Sequence, residues 1–166
     1  MGMPGSLREQ INKQSAFVSP EEEAMLNVAR TAAQLGGIER AFFKRYELSP
    51  ASYNLLRILR GHHNKGLSEG VRASEIGCQM VVRMPDVTRL VDRLESRGLV
   101  VRGECAQDKR VKYVRISEDG LKLLSRIDPA IPELGRSALG HLSKSELGTL
   151  SRLLEKARDE QAGSGA

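Results

Sequence analysis

Residues 84–99, Met-Pro-Asp-Val-Thr-Arg-Leu-Val-Asp-Arg-Leu-Glu-Ser-Arg-Gly-Leu, decide the fold of this chain. Four apolar residues in this stretch recur at i, i+3, i+4 and i+7, the spacing of one helical stripe: Val87, Leu90, Val91 and Leu94. Pro85 suits the first position of a helix, and Gly98 suits the left-handed position just after a helix end. The pattern therefore predicts an amphipathic helix from Pro85 to Arg97.

The side of this predicted helix opposite the apolar stripe is polar. At about 100° per residue, that side carries Pro85, Arg89, Asp92 and Ser96, flanked by Asp86, Thr88 and Arg93. A compact face of this kind is rich in hydrogen-bonding groups. An amphipathic surface helix with scattered ion pairs is the alternative interpretation.

The segments on either side complete a recognisable unit. A short helix is predicted from Arg72 to Met80, and two β-like runs follow the central helix, Leu99 to Arg102 and Val111 to Ile116. We call this hairpin, residues 99–116, the wing. A helix, a turn, a second helix with a polar outer face and a basic wing can bind duplex DNA, the second helix in the major groove. Arg110, near the wing tip, suits a narrow minor groove.

The charge distribution agrees with this interpretation. Residues 72–115 contain ten basic and six acidic side chains, so they hold four of the chain's net +5 charges. A concentrated positive field is expected of a surface that binds phosphates. A winged helix that contacts an acidic protein partner is the alternative.

The rest of the chain predicts further helices with marked boundaries. Ser19-Pro20, Ser49-Pro50 and Ser143 with Glu146 each begin a predicted helix, and Pro129 and Pro132 interrupt another. The predicted fold is mainly α with a small β-hairpin wing. Its predicted parts are a flexible arm (1–18), helical dimerisation segments (19–47 and 118–160) and a winged helix-turn-helix (48–117).

Several function classes find no support in the sequence. No glycine-rich phosphate loop, nucleophile elbow or HExxH motif is present, so no enzyme, cofactor or metal is predicted. Adjacent His62 and His63 fall in a predicted loop (62–70), where they do not suggest a metal site. Cys78 is predicted to pack as a small apolar residue. With no apolar run long enough to span a bilayer and no signal-like start, we expect a cytoplasmic protein.

Five pieces taken together resemble the MarR family of transcription regulators. They are residues 73–76 (ASEI), 87–95 (VTRLVDRLE), 97–100 (RGLV), 108–110 (DKR) and 116–120 (ISEDG). The resemblance covers roughly residues 20–160. It implies a homodimer with interlocking terminal helices, a pseudo-palindromic DNA site, and repression that is usually relieved by a small ligand.

Two sets of site residues are predicted from the residue pattern and the resemblance together, and the resemblance itself implies Asp86, Thr88, Arg89, Asp108 and Arg110. The predicted DNA-binding residues are Arg83, Pro85, Asp86, Thr88, Arg89, Arg93, Asp108, Lys109, Arg110 and Lys112. Within the wing, Asp108 is implied to orient Arg110. The predicted contacts to a small aromatic or phenolic effector are Phe42, Phe43, Tyr46, Tyr53 and Arg57. For these five residues, core packing and a surface ion pair of Arg57 remain the alternatives.

Overall fold

The computed structural model describes residues 5–67, 70–84, 86–104 and 112–162. Two compact units make up the chain, residues 1–50 and 51–166, and each is described here by itself. The described helices are α1 (Leu7–Gln10), α2 (Pro20–Lys44), α3 (Pro50–Asn64), α4 (Ala73–Gln79), α5 (Val87–Glu95), α6 (Glu118–Ile127), α7 (Ile131–Leu139) and α8 (Lys144–Ala162). The described strands are β1 (Val71–Arg72), β2 (Val100–Glu104) and β3 (Lys112–Ile116). The mainly helical fold with a small antiparallel sheet confirms the predicted fold class.

The first unit contains two capped helices. The Ser19 hydroxyl accepts a hydrogen bond from the Glu22 backbone N–H (3.2 Å), so α2 begins where the sequence predicts. The predicted arm, residues 1–18, also contains the short helix α1. Ser6 and Glu9 cap α1 reciprocally, and its Leu7 is buried.

The second unit has a core of aliphatic side chains drawn from helices and strands. Those with almost no exposure are Leu55, Leu56, Leu59, Val71, Ile76, Val91, Leu94, Val100, Val114, Leu124 and Ile127. They come from α3, α4, α5, α6 and all three strands, so one core supports both α5 and the base of the wing.

The strands form one antiparallel sheet in the order β1-β3-β2. The register of β2 on β3 runs from Val100 opposite Ile116 to Glu104 opposite Lys112. The sequence did not predict β1, because two residues are too short to show an alternating pattern. The approach of β1 to β3 depends on Gly70, whose φ is +98° and whose Cβ, if present, would lie 2.7 Å from the Val114 carbonyl oxygen.

A second close approach links the sheet to α6. The Ser117 hydroxyl donates to the Gly98 carbonyl (2.6 Å) and accepts from the Gly120 backbone N–H (3.0 Å), which caps α6. A Cβ on Gly120 would collide with the Leu99 carbonyl oxygen. The Ser-Glu-Asp-Gly piece of the family resemblance therefore has a packing role in this chain.

Two boundary predictions are wrong, and a third is confirmed. α3 continues to Asn64, so His62 and His63 lie in its last turn and the predicted loop placement is wrong. α5 begins at Val87 with Asp86 as its N-cap, two residues later than the sequence predicts. The predicted interruption near Pro129 is confirmed, since a 3₁₀ helix (Asp128–Ala130) separates α6 from α7.

Candidate nucleic-acid interface

The apolar side of α5 is held firmly by the core. Leu90, Val91 and Leu94 are buried, as their spacing predicts. α4 approaches α5 closely at Gly77, where a Cβ would lie 3.3 Å from a methyl carbon of Val87. This packing fixes the direction in which the opposite, polar face of α5 points.

The N-terminal turn of α5 presents charged and polar groups to solvent. The Asp86 carboxylate accepts a hydrogen bond from the Arg89 backbone N–H (2.9 Å), which caps the helix and places a negative charge at the positive end of its dipole. The Arg89 side chain is 81% exposed, and its Nε lies 3.9 Å from Asp86 Oδ2. Thr88 is exposed beside it. These groups form a polar surface on a fixed backbone.

The C-terminal end of α5 has the predicted left-handed glycine. Gly98 has a φ of +70°, its N–H donates to the Glu95 carbonyl (2.8 Å), and the Leu99 N–H donates to the Leu94 carbonyl (3.0 Å). These two bonds are those of a Schellman motif. They turn the chain directly from the helix into β2.

An ion cluster of Arg102, Asp92 and Glu95 joins β2 to α5. Arg102 Nη2 lies 2.5 Å from Asp92 Oδ1, and Arg102 Nη1 pairs with Glu95. Burial lowers the pKa of Arg102, but the hydrogen bond to Asp92 and the charges of Glu95 and Asp92 outweigh it, so the pKa is raised above its ordinary value. The cluster ties the base of the wing to the helix.

The sequence did not reveal the role of Arg102. From the sequence, we predicted that Arg102 belongs to the basic surface and that Asp92 lies on the outer face of the helix. The partners are seven to ten residues apart in the chain. Only the turn at Gly98 and the strand that follows it bring them together.

Two side chains of α3 hold the end of α4 and the turn after it. Asn54 Oδ1 accepts from the Val81 backbone N–H (2.9 Å), and His62 Nε2 lies 3.1 Å from Gln79 Oε1. The sequence did not predict either contact, because a single Asn or His in a helix forms no pattern that indicates its partner. The turn that leads into α5 is therefore fixed at its start.

The predicted DNA-binding residues fall into two groups. Arg83, Asp86, Thr88, Arg89 and Arg93 are all exposed, on α5 or just before it. Pro85, Asp108, Lys109 and Arg110 lie outside the described residues. Lys112 pairs with Glu104 in the sheet through its backbone, and its side chain is likewise outside the description.

The predicted effector residues of the first unit pack on one another. The rings of Phe42 and Phe43 meet edge to face with centroids 5.0 Å apart, and Tyr46 lies 5.6 Å from Phe42. Both phenylalanines are buried. The Arg45 guanidinium covers the Phe42 ring at 4.6 Å.

The two predicted effector residues of the second unit also interact with each other. Arg57 donates to the Tyr53 hydroxyl (2.9 Å) and lies 4.0 Å from Asp128, which forms a two-pronged ion pair with Arg60. The surface ion pair that the sequence left open for Arg57 is thus present. The effector role of these five residues remains a prediction.

Three further features concern the part of the chain that the structure describes: metal-binding clusters, membrane-spanning helices and the environment of Cys78. Within it, no cluster of His, Cys, Asp and Glu could hold a metal ion, and no helix is long and apolar enough to cross a membrane. Cys78 is exposed on α4, so its predicted packing as a small apolar residue is wrong.

A helix, a turn, a second helix with an exposed polar face and a three-stranded sheet define a winged helix-turn-helix protein. The MarR family model matches residues 48–112, which contain this unit. A solved MarR transcription factor from Planctomyces limnophilus is 38% identical, with a TM-score of 0.65, and the match covers 84% of this chain and 98% of that one. The chain belongs to the MarR family of transcription regulators, and it is not an enzyme.

Two further relatives extend the comparison. A proposed transcriptional regulatory protein for the hcr operon of Thauera aromatica is 29% identical over 109 residues, which span 66% of this chain and 62% of that protein. A mutant MarR from E. coli, solved in complex with operator DNA, has a TM-score of 0.69 over 92% of this chain and 99% of that one. At 19% identity, that structure is evidence for the fold alone.

Proposed function

We propose that this regulator binds a pseudo-palindromic duplex DNA site as a homodimer, with α5 in the major groove and the wing against the adjacent minor groove. The observation that carries the proposal is Arg89. Its exposed guanidinium stands on the first turn of a helix whose other face is buried and whose ends are both capped. Residues at this position of a recognition helix meet base edges.

The Arg102 ion cluster supports the same proposal. It joins the helix to the strand that begins the wing, so the two contact regions would reach DNA with a set spacing. A protein whose contact regions are already ordered before binding loses less conformational entropy when it binds. Arg102 is also paired internally, whereas Arg83, Arg89, Arg93 and Arg97, on α5 or next to it, are exposed.

The test is fluorescence anisotropy on a duplex selected from genomic fragments, near physiological salt. We expect Arg89→Ala and Arg110→Ala each to weaken binding by about 1–3 kcal/mol, with unchanged helicity and dimerisation. Arg136→Ala is the matched control. Arg136 is also an exposed arginine paired with a carboxylate three residues earlier, Nη2 to Glu133 Oε2 at 2.9 Å, but it lies outside the helix-turn-helix.

Each arginine tests a separate part of the proposal. Undiminished affinity of Arg89→Ala would reject the placement of α5 in the major groove, and undiminished affinity of Arg110→Ala would reject the wing contact. A salt titration on random duplex DNA distinguishes the alternative function. If the protein ignores DNA and binds an acidic protein instead, the winged helix is a protein-interaction module.

We also propose that the regulator represses transcription and that a small aromatic or phenolic ligand relieves repression. The family supports this, and a ligand can act only through its different affinities for the DNA-competent and DNA-incompetent states. Genes beside the selected DNA sites would indicate effectors to test. If saturating aromatic acids and phenols leave DNA affinity unchanged, the ligand-dependent part of the proposal is wrong.

A further inference from the structure

The turn between α4 and α5 exposes two adjacent valines. Val81 is 86% exposed and Val82 is 71% exposed, whereas Met80 immediately before them is buried. Val81 is also among the most exposed large apolar side chains of the described residues. Two solvated valines beside a cationic surface contribute nothing to the core of this chain.

Their outward direction is a property of the anchored backbone. The Val81 N–H donates to the Asn54 side chain, and Met80 occupies the core side of the turn. With the start of the turn tied to α3 in this way, the following side chains project away from the core.

The same turn leads directly into the proposed DNA-reading surface. Arg83 is exposed one residue after the valines, and Asp86, Thr88 and Arg89 follow at the start of α5. The valines are therefore continuous with groups that carry the proposed contact to base edges and phosphates. An apolar group on the surface of the bound partner would remove these two hydrated side chains from water.

We infer that Val81 and Val82 select thymine in the bound site by contacting its C5 methyl group in the major groove. The inference rests on the proposed DNA-binding function and names a determinant of its sequence preference. The thymine methyl group is the apolar feature that a side chain meets on the major-groove edges of the four bases. A β-branched valine has few rotamers to lose on contact, so its side chain loses little entropy on binding.

The inference is tested by a double-mutant cycle between protein and DNA methyl groups. The probes are the selected duplex and matched duplexes in which single thymines are replaced by deoxyuridine, which removes the methyl group and keeps the base pair. The proteins are wild type, Val81→Ala, Val82→Ala, and Val18→Ala as a control that removes a 91% exposed valine from the segment before α2. Thermal melts check that all the variants fold.

We expect at least one thymine whose replacement weakens wild-type binding about fourfold, the value for burial of one methyl group. The same replacement should have a much smaller effect on Val81→Ala or Val82→Ala and an undiminished effect on Val18→Ala. Such coupling would support the inference.

Three other results would overturn it. If all four proteins bind tightly and respond equally to deoxyuridine, the valines do not contact thymine. The proposed function is then unaffected. Loss of a protein–protein contact in the valine variants, with DNA binding unchanged, would show that the pair faces a protein. If selection from genomic fragments yields no duplex that the wild type binds, the proposed function itself fails.

Discussion

Helices α5 and α8 are both amphipathic and capped, yet the apolar face of α5 is buried within the chain and that of α8 is not. α5 buries Leu90, Val91 and Leu94 within its own chain and exposes only its polar face. In α8, no side chain among residues 144–159 is buried, and Leu153 is 51% exposed. A leucine stripe at helical spacing therefore does not show by itself what covers it.

This difference separates two kinds of helix in one protein. α5 is complete in the single chain, because β2, α4 and the core supply its apolar partners. The leucines of α8, namely Leu147, Leu150, Leu153 and Leu154, are exposed or half-buried. The proposed dimer gives that stripe a partner, since a two-fold interface can pair it with its own copy.

The largest expected effect is on the covered helix. Leu94→Ala should lower the free energy of unfolding by about 2–5 kcal/mol, because it leaves a cavity at a fully buried position. Leu153→Ala is the matched change on the exposed stripe and should cost the single chain less than about 0.5 kcal/mol. Denaturant unfolding at low protein concentration measures both. Equal losses would abolish the contrast between α5 and α8.

The second prediction concerns the partner of α8. A Leu150→Glu, Leu154→Glu double variant should weaken dimerisation by about tenfold to a hundredfold, or about 1.4–2.8 kcal/mol, because charge replaces apolar contact. Multi-angle light scattering over a concentration series measures the change. The exposed Arg152→Glu substitution between them is a control for added negative charge. A monomeric wild type at micromolar concentration would contradict the proposed dimer.

The third prediction tests the polar side of α5. Arg102→Met keeps the apolar stem of the side chain but removes the ion cluster with Asp92 and Glu95, and should cost about 1 kcal/mol of stability. It should also weaken DNA binding by loosening the base of the wing. Lys122→Met, which removes an exposed pair with Asp119, should change neither quantity measurably. An Arg102→Met protein with wild-type affinity would show that the cluster does not position the wing.

The smallest expected effect lies at the joint between α6 and α7. The hydrogen bonds from Arg60 lower the pKa of Asp128 below its ordinary value of 3.8. The stabilisation is therefore complete above pH 3.8 and is lost as the pH falls below it, through the lowered folded-state pKa. Since the carboxylate is partly exposed, Asp128→Asn should cost less than about 1 kcal/mol at pH 7.

The measurement for Asp128 is the difference in unfolding free energy between wild type and Asp128→Asn at several pH values. That difference should be constant from pH 5 to 7 and should shrink below the ordinary carboxyl pKa. Asp119→Asn serves as a control, since its pair with Lys122 is solvent-exposed. A difference that does not change between pH 5 and 2 would show that the Arg60 pair contributes no stability.

The local elements of this protein were predictable because their signals are local. The apolar stripe of α5, the serine caps of α2 and α8, and the left-handed Gly98 each follow from residues within one or two helical turns. The polar residues of α5 that we expected to be exposed are exposed for the same reason, since burial of one helical face determines the other.

The remaining features required contacts between residues that lie far apart in the sequence. The two-residue strand β1 exists because Gly70 lets it approach β3, and Asn54 holds the turn at Val81 from 27 residues away. The pairing of Arg102 with Asp92 removes one predicted cation from the basic surface. A sequence pattern determines which face of an element is apolar, because that property is set by spacing along one backbone. Tertiary packing alone decides which charges neutralise one another and which apolar side chains stay in water.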